Sequence, residues 1–210
     1  LRYNRLFPWL LNLLYNKFMK NSGGKIFYIN DFCFFENDVD LPTFPMSMRR
    51  KTGIADKYAL AALLNFKNFR PDEIVYASRF GEFEKLLKLI NSYLSENEVS
   101  PTVFSGSVHN FPVGMFAGLA GLSSPYTALA AGENTVSSGL LTSVLSENEN
   151  VLFCYADKTT EGAKALSCSI SKTAGKIKCV LHQSQTTVKC DEFAEFIAFL
   201  SGKTSFVDFG

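Results

Sequence analysis

The sequence has no long apolar run, no surplus of either charge and almost no histidine. Its longest nearly apolar stretch, Phe111 to Leu122, is broken by Pro112 and by glycines and falls short of the roughly 20 residues that cross a bilayer. No transmembrane segment is expected. Lysine and arginine number 21 against 20 aspartates and glutamates, a net charge of +1, so there is no broad field for gripping a polyphosphate backbone. That argues against a nucleic-acid partner. Cys33, Cys154, Cys168, Cys179 and Cys190 are odd in number and include no CxxC pair, and His109 and His182 are the only imidazoles. Neither a disulfide scaffold nor a metal site follows from that set, no cofactor is called for, and the free cysteines fit a reducing cytoplasm. The N-terminal LRYNRLFPWLLNLLYNKFMK has basic ends around a short apolar stretch, but Asn12 interrupts it and no small-x-small cleavage site follows, so it does not read as a secretory signal.

Aromatic residues are abundant: 20 Phe, 8 Tyr and one Trp in 210 residues that are 47% hydrophobic and 20% charged. Such a chain buries a core, and one domain is the expectation. The polar MKNSGGK precedes the aromatic strand IFYINDFCFF, which places the domain at 25–210. Residues 1–24 read as an amphipathic extension or an upstream piece of reading frame, with an internal start at Met19 as the alternative.

Along the domain, Ile54, Tyr58, Leu60, Ala61 and Leu64 fall at helical spacing and predict a helix with one apolar face over Arg49 to Phe69. EIVYAS reads as a buried strand and Glu82 to Leu94 as an amphipathic helix. Next come a short helix rich in Gly114, Ala117, Gly118, Ala120 and Gly121, a strand at YTALAAG, a turn at Gly132, a further helix, and the apolar strand VLFCYAD. The economical connection is a second βαβ unit. LSCSIS and KIKCVLH, separated by Ala174 and Gly175, predict an antiparallel pair. Asp191 is the expected N-cap of a last helix, EFAEFIAFL, which Gly202 closes.

Three stretches, LPTFPMSMRRKTGIADKYALAALLNF, IVYASRFGEFEKLLKLI and SPTVFSGSVHNFPVGMFAGLAGLSSPYTALAAGENTVSSGLL continuing to VLFCYAD, together resemble the beta-ketoacyl synthase-like N-terminal domain. The resemblance implies an α/β fold of the layered αβα thiolase-like type with a mixed central sheet, present here as one half of a condensing enzyme. In condensing enzymes the turn matching TALAAGENT carries a nucleophilic cysteine, because a thiolate takes and releases an acyl chain. Here Leu129 occupies the nucleophile position. The histidine motifs of the other half have no equivalent; His182 stands outside any glycine-rich motif.

Two function classes follow. In the first, the chain is a noncatalytic, chain-length-factor-like subunit that acts with a ketosynthase subunit and an acyl carrier protein in fatty acid or polyene-type synthesis. Asn110, Glu133 and Asn134 are its candidate partner or pocket residues. Arg49, Arg50 and Lys51, the one strongly basic run, are its candidate docking site for an acidic carrier. In the second, an acyltransferase or thioester hydrolase uses another nucleophile, with Ser107 and His109 as candidates, although Ser105, Ser107 and His109 also suit local bonding to their own loop and no G-x-S-x-G elbow appears. A binding module for an acyl carrier or acyl-CoA is a third alternative. Arg79 and Glu82 are expected to pair or to cap their turn. A half-fold has a large layer face to cover, so association with another subunit or as a homodimer is expected.

Overall fold

The computed structural model describes residues 25–36, 46–181, 191–205 and 207. Its middle layer is a six-stranded sheet of β1 (Lys25–Glu36), β2 (Glu73–Ala77), β3 (Tyr126–Leu129), β4 (Asn150–Thr159), β5 (Gly162–Ser171) and β6 (Ile177–Leu181), in the order β3-β2-β4-β5-β1-β6. β3 and β4 lie parallel to β2 on its two sides. β5 is antiparallel to β4 and β1, and β6 to β1. The helices are α1 (Met46–Arg49), α2 (Ile54–Leu64), α3 (Phe83–Glu96), α4 (Pro101–Ser105), α5 (Phe111–Ala120), α6 (Thr135–Leu145) and α7 (Glu192–Leu200).

Strand alternation divides the core into two layers. Ile74 and Tyr76 of β2, with Leu152, Cys154 and Ala156 of β4, meet α2 and α5. Val75, Ala77, Val151, Phe153 and Tyr155 face the opposite way, toward α6 and α7. Helices therefore cover both faces, which is why VLFCYA is apolar at every position rather than at alternate ones. Asp191 caps α7 as expected, its Oδ1 accepting from the backbone N–H of Phe193 (3.1 Å) and Ala194 (3.3 Å). Gly202, just past that helix, takes the left-handed φ of +73° that suits a helix exit. Among the described residues no helix is long and apolar enough to cross a membrane.

Three sequence expectations change. The helix expected from Arg49 starts at Ile54, because Gly53 breaks the chain there and its N–H donates to Asp56 Oδ2 at 3.0 Å. Nor does α2 have a single apolar face: Ala55 and every residue from Tyr58 to Leu63 are buried. Ala59, Ala61 and Ala62 are small enough to let the helix lie close to the sheet and to α5 at once. The expected antiparallel pairing of LSCSIS with KIKCVLH does not form. β1 lies between them, with Phe32 opposite Cys168 and Phe27 opposite Cys179, so β5 and β6 run in the same direction. Gly175 lets the connection cross β1, since a Cβ there would stand 2.5 Å from Tyr28 Cβ. Residues 1–24, Cys190 and His182 lie outside the described residues.

The layers meet most tightly at Gly139 of α6. A Cβ at that position would stand 2.5 Å from Phe153 Cε2 and 2.8 Å from Ala77 Cβ, both in the sheet. Replacing an interior helical glycine by alanine ordinarily gains about 1 kcal/mol. Here overpacking reverses the sign, and Gly139→Ala is expected to lose about 1–3 kcal/mol in a urea unfolding titration.

Candidate functional site

β2, β3 and β4 end on one side of the sheet, where open α/β folds place their ligand clefts. β4 delivers the carboxyl group of Asp157 there, 1% exposed. The chain leaving β2 wraps it: Oδ1 accepts from Ser78 Oγ at 2.8 Å and the Phe80 N–H at 3.0 Å, and Oδ2 from the Arg79 N–H at 2.8 Å. The Gly81 N–H donates to Ser78 Oγ at 2.8 Å, and Gly81 takes a φ of +53°, which a Cβ would strain. Ser-Arg-Phe-Gly after a buried strand is thus a nest around a carboxyl group. Asp157 escaped the sequence reading. Its signal was a lone acid ending a wholly apolar strand, a position that demands several donors.

The same turn positions His109. Its Nε2 lies 2.8 Å from the Ser78 carbonyl oxygen; a carbonyl only accepts, so Nε2 carries the proton and in the neutral ring Nδ1 is the acceptor. The ring packs against Tyr76 with centroids 5.6 Å apart. Ser107 is not its partner. The segment is helix α4 and a turn, and Ser107 Oγ donates to the Phe104 carbonyl while Ser105 Oγ donates to that of Thr102, each at 2.9 Å. Asn110 precedes α5 and its Nδ2 donates to Tyr126 Oη at 3.4 Å.

His109, Asn110, Tyr126, Ala128, Leu129 and Ala130 line an open cleft of about 440 Å³. Leu129 closes its inner side, 7% exposed and part of the core with Val136 and Leu140. Beyond Leu129 the turn continues through Ala130 and Ala131 to Gly132, so no nucleophilic side chain stands on it. A second cleft of about 860 Å³ borders this turn and is lined by Arg79, Glu133, Asn134, Tyr155, Asp157 and Lys164 among others. The expected pairing of Arg79 with Glu82 is absent. Arg79 stands 3.9 Å from Glu133, both well exposed, an ion pair of little energetic worth.

Of the described cysteines, Cys154, Cys168 and Cys179 are buried and Cys33 is half-buried against the core. Burial pushes the thiols of Cys33 and Cys179 up to about 11 and that of Cys154 to about 12, and raises that of Cys168 further. None supplies a thiolate near neutral pH. No group of three or more possible metal ligands occurs among the described residues.

A second polar centre sits where α2, α3 and α4 converge. Lys85 Nζ donates to Asp56 Oδ2 at 2.8 Å, the Lys51 carbonyl at 2.6 Å and the Gly106 carbonyl at 2.9 Å. Glu82 turns away from Arg79, and its Oε1 accepts the Asp56 N–H at 2.9 Å, capping α2. Arg49, Arg50 and Lys51 are exposed on the turn that this centre anchors.

Residues 33–191 match the family model described as Beta-ketoacyl synthase, N-terminal domain. Among solved structures, the chain resembles one described as a ketosynthase (ApeO) in complex with its chain length factor (ApeC) from Xenorhabdus doucetiae. That match has a TM-score of 0.63 and 21% identity and covers 73% of this chain and 81% of that one. It also resembles the type II PKS assembly AntDE:AntF, an acyl-carrier protein in complex with its ketosynthase, with a TM-score of 0.57, 10% identity and coverage of 71% and 63%. A third likeness is to the ketosynthase of module 6 of the bacillaene synthase from Bacillus subtilis, with a TM-score of 0.51, 10% identity and coverage of 71% and 37%. The chain therefore spans less than two thirds of the latter two chains. At these identities the likeness carries the fold alone. Among proteins of curated function, none matches the sequence.

The Lys85 centre makes stability depend on pH. Burial first, and then the charge of Asp56, push the Glu82 carboxyl up to about 7, and burial likewise raises that of Asp56. A carboxyl raised on folding contributes stability that is fully present below its unfolded value, about 4.5, and lost as pH rises through about 7. Glu82→Gln keeps the acceptor for the Asp56 N–H and removes one titration. Its Tm is expected to match the wild type near pH 4.5 and to exceed it by a few degrees at pH 8, in scanning calorimetry across that range.

Proposed function

The chain belongs to the family of beta-ketoacyl synthase N-terminal domains, and from that membership and its layered thiolase-like fold we propose that it is a noncatalytic, chain-length-factor-like subunit. It acts with a ketosynthase and an acyl carrier protein in fatty acid or polyene-type biosynthesis, in a reducing cytoplasm. The observation that carries this reading is the turn after β3. Where condensing enzymes bear a cysteine, this chain has a buried leucine followed by two alanines and a glycine, and every described cysteine is buried or half-buried. Without a nucleophile, what the fold offers is surface and cavity shape.

Two features support a partner at this end. β3 is the edge of the sheet, so its outer N–H and C=O groups are open to another strand. The cleft beside it has apolar walls at Ala128, Leu129 and Ala130 and polar groups at His109, Asn110 and Tyr126, a lining that suits an acyl chain ending in a polar thioester. Exposed Arg49, Arg50 and Lys51 would attract an acidic carrier.

The test is intact-protein mass spectrometry after incubation with acyl-CoA and acyl-carrier donors, paired with native mass spectrometry alongside a ketosynthase subunit of the same organism. The expected result is no acyl adduct, in the wild type or in Cys190→Ser, and a stable heteromer. A covalent adduct abolished by Ser107→Ala would replace this reading with the acyltransferase or hydrolase one. Unchanged product lengths after deletion of the gene would remove the chain-length role.

A further inference from the structure

Helix α3 is the one long helix among the described residues that packs into neither core layer. Of its fourteen residues only Leu89 is buried. At 100° per residue, Lys85 and Leu89 point to the body of the protein, and Glu84, Lys88, Asn91 and Ser95 form a polar side. The arc between them is wholly apolar: Phe83, Leu86, Leu87, Ile90, Tyr93 and Leu94, each between 43% and 75% exposed. Phe80, Val99 and Phe104 extend it at 40–58% exposure. The exposed area of these residues is on the order of 800 Å², above the ~300–600 Å² of the largest apolar patch on an ordinary monomer and equal to what each partner brings to a stable interface.

We propose that this face is a homodimer interface in which α3 packs antiparallel against α3 of a second copy. A two-fold interface must be complementary to itself, and the central stripe has that property. Phe83, Leu87, Ile90 and Leu94 are spaced four, three and four residues apart, a pattern that reads the same in both directions. Turned on itself, the helix sets Phe83 against Leu94 and Leu87 against Ile90, large against large, with no charge on the seam. The spacing is also that of ridges and grooves that interlock at a shallow crossing angle. Glu84, the charged residue of the helix nearest the seam, is already paired with Lys158, so dimerisation does not strip it of a partner, and Lys85 points the other way, into its own subunit's polar centre. The free β3 edge and its cleft are a separate surface, and this inference does not rest on pairing with a ketosynthase.

Sedimentation velocity of the purified chain from about 1 to about 100 µM tests it. The wild type is expected to pass from monomer to dimer over that range. Leu87→Glu and Ile90→Lys are each expected to remain monomeric with unchanged far-UV circular dichroism and, at about 1 µM where the wild type is itself monomeric, unchanged Tm, since both side chains are exposed in the monomer. Mixing those two variants is expected to restore a dimer, because the antiparallel register sets the new carboxylate against the new ammonium. A wild type that stays monomeric at about 100 µM, or a dimer indifferent to both substitutions, overturns the proposal. If either variant fails to fold, hydrogen exchange of the wild type decides: α3 amides gain protection with concentration if the face self-associates, and exchange equally if it does not. A chain monomeric alone that forms a heteromer with a ketosynthase would overturn the homodimer and leave the proposed function standing.

Discussion

The buried carboxyl group of Asp157 fixes the end of the sheet at which β2, β3 and β4 finish. A carboxyl group at the end of an apolar strand has lost its water and must take donors from the protein. It takes them from the three residues that follow β2, and this dictates the path of the chain out of the sheet. That path places the Ser78 carbonyl where His109 meets it, and the Ser78 N–H where it donates to the Leu129 carbonyl at 3.1 Å. One acid thereby sets the positions of β2's exit, the histidine and the end of β3. Catalysis need not enter this account, since satisfying a buried acid is reason enough for the geometry.

The Lys85 centre holds the other corner. Its ammonium group reaches carbonyls of two connections and the Asp56 carboxyl group, and Glu82 caps the helix on which Asp56 sits. Gly106 is small because a Cβ would meet the Lys51 carbonyl oxygen and come within 3.3 Å of Lys85 Nζ. Helices α3 and α4 are thus fastened to the body by polar contacts at their junctions, while the apolar side chains of α3 stay outward.

Local pattern carried much of the fold. VLFCYAD, EIVYAS and the Asp191 cap were legible because strand burial and helix capping are decided by neighbours in sequence. The insertion of β1 between β5 and β6 was not, since both ordering possibilities leave the same alternation of aromatic and small residues in each strand. It depends on a backbone crossing at Gly175 that no short-range pattern encodes. In the site, His109, Asn110 and Leu129 were singled out by the sequence, and all three line the same cleft. Asp157 and the Glu82 cap were missed for a shared reason: each acid is satisfied by backbone N–H groups 26 or more residues away in sequence. A motif of side chains alone does not register such donors.

None of the polar contacts at this end of the sheet depends on a nucleophile at the turn after β3. The Asp157 nest, the His109 contact and the Lys85 centre all stabilise loops and helix ends, so each contributes to folding whether or not a thiol stands at the turn. Leu129 goes further than absence, because its side chain fills core space against Val136 and Leu140 and ties the turn to α6. A polar or ionised side chain at that position would face the same apolar neighbours and lose that packing. The turn is thus held by apolar packing, and the cleft beside it combines apolar walls at Ala128, Leu129 and Ala130 with hydrogen-bonding groups at His109, Asn110 and Tyr126.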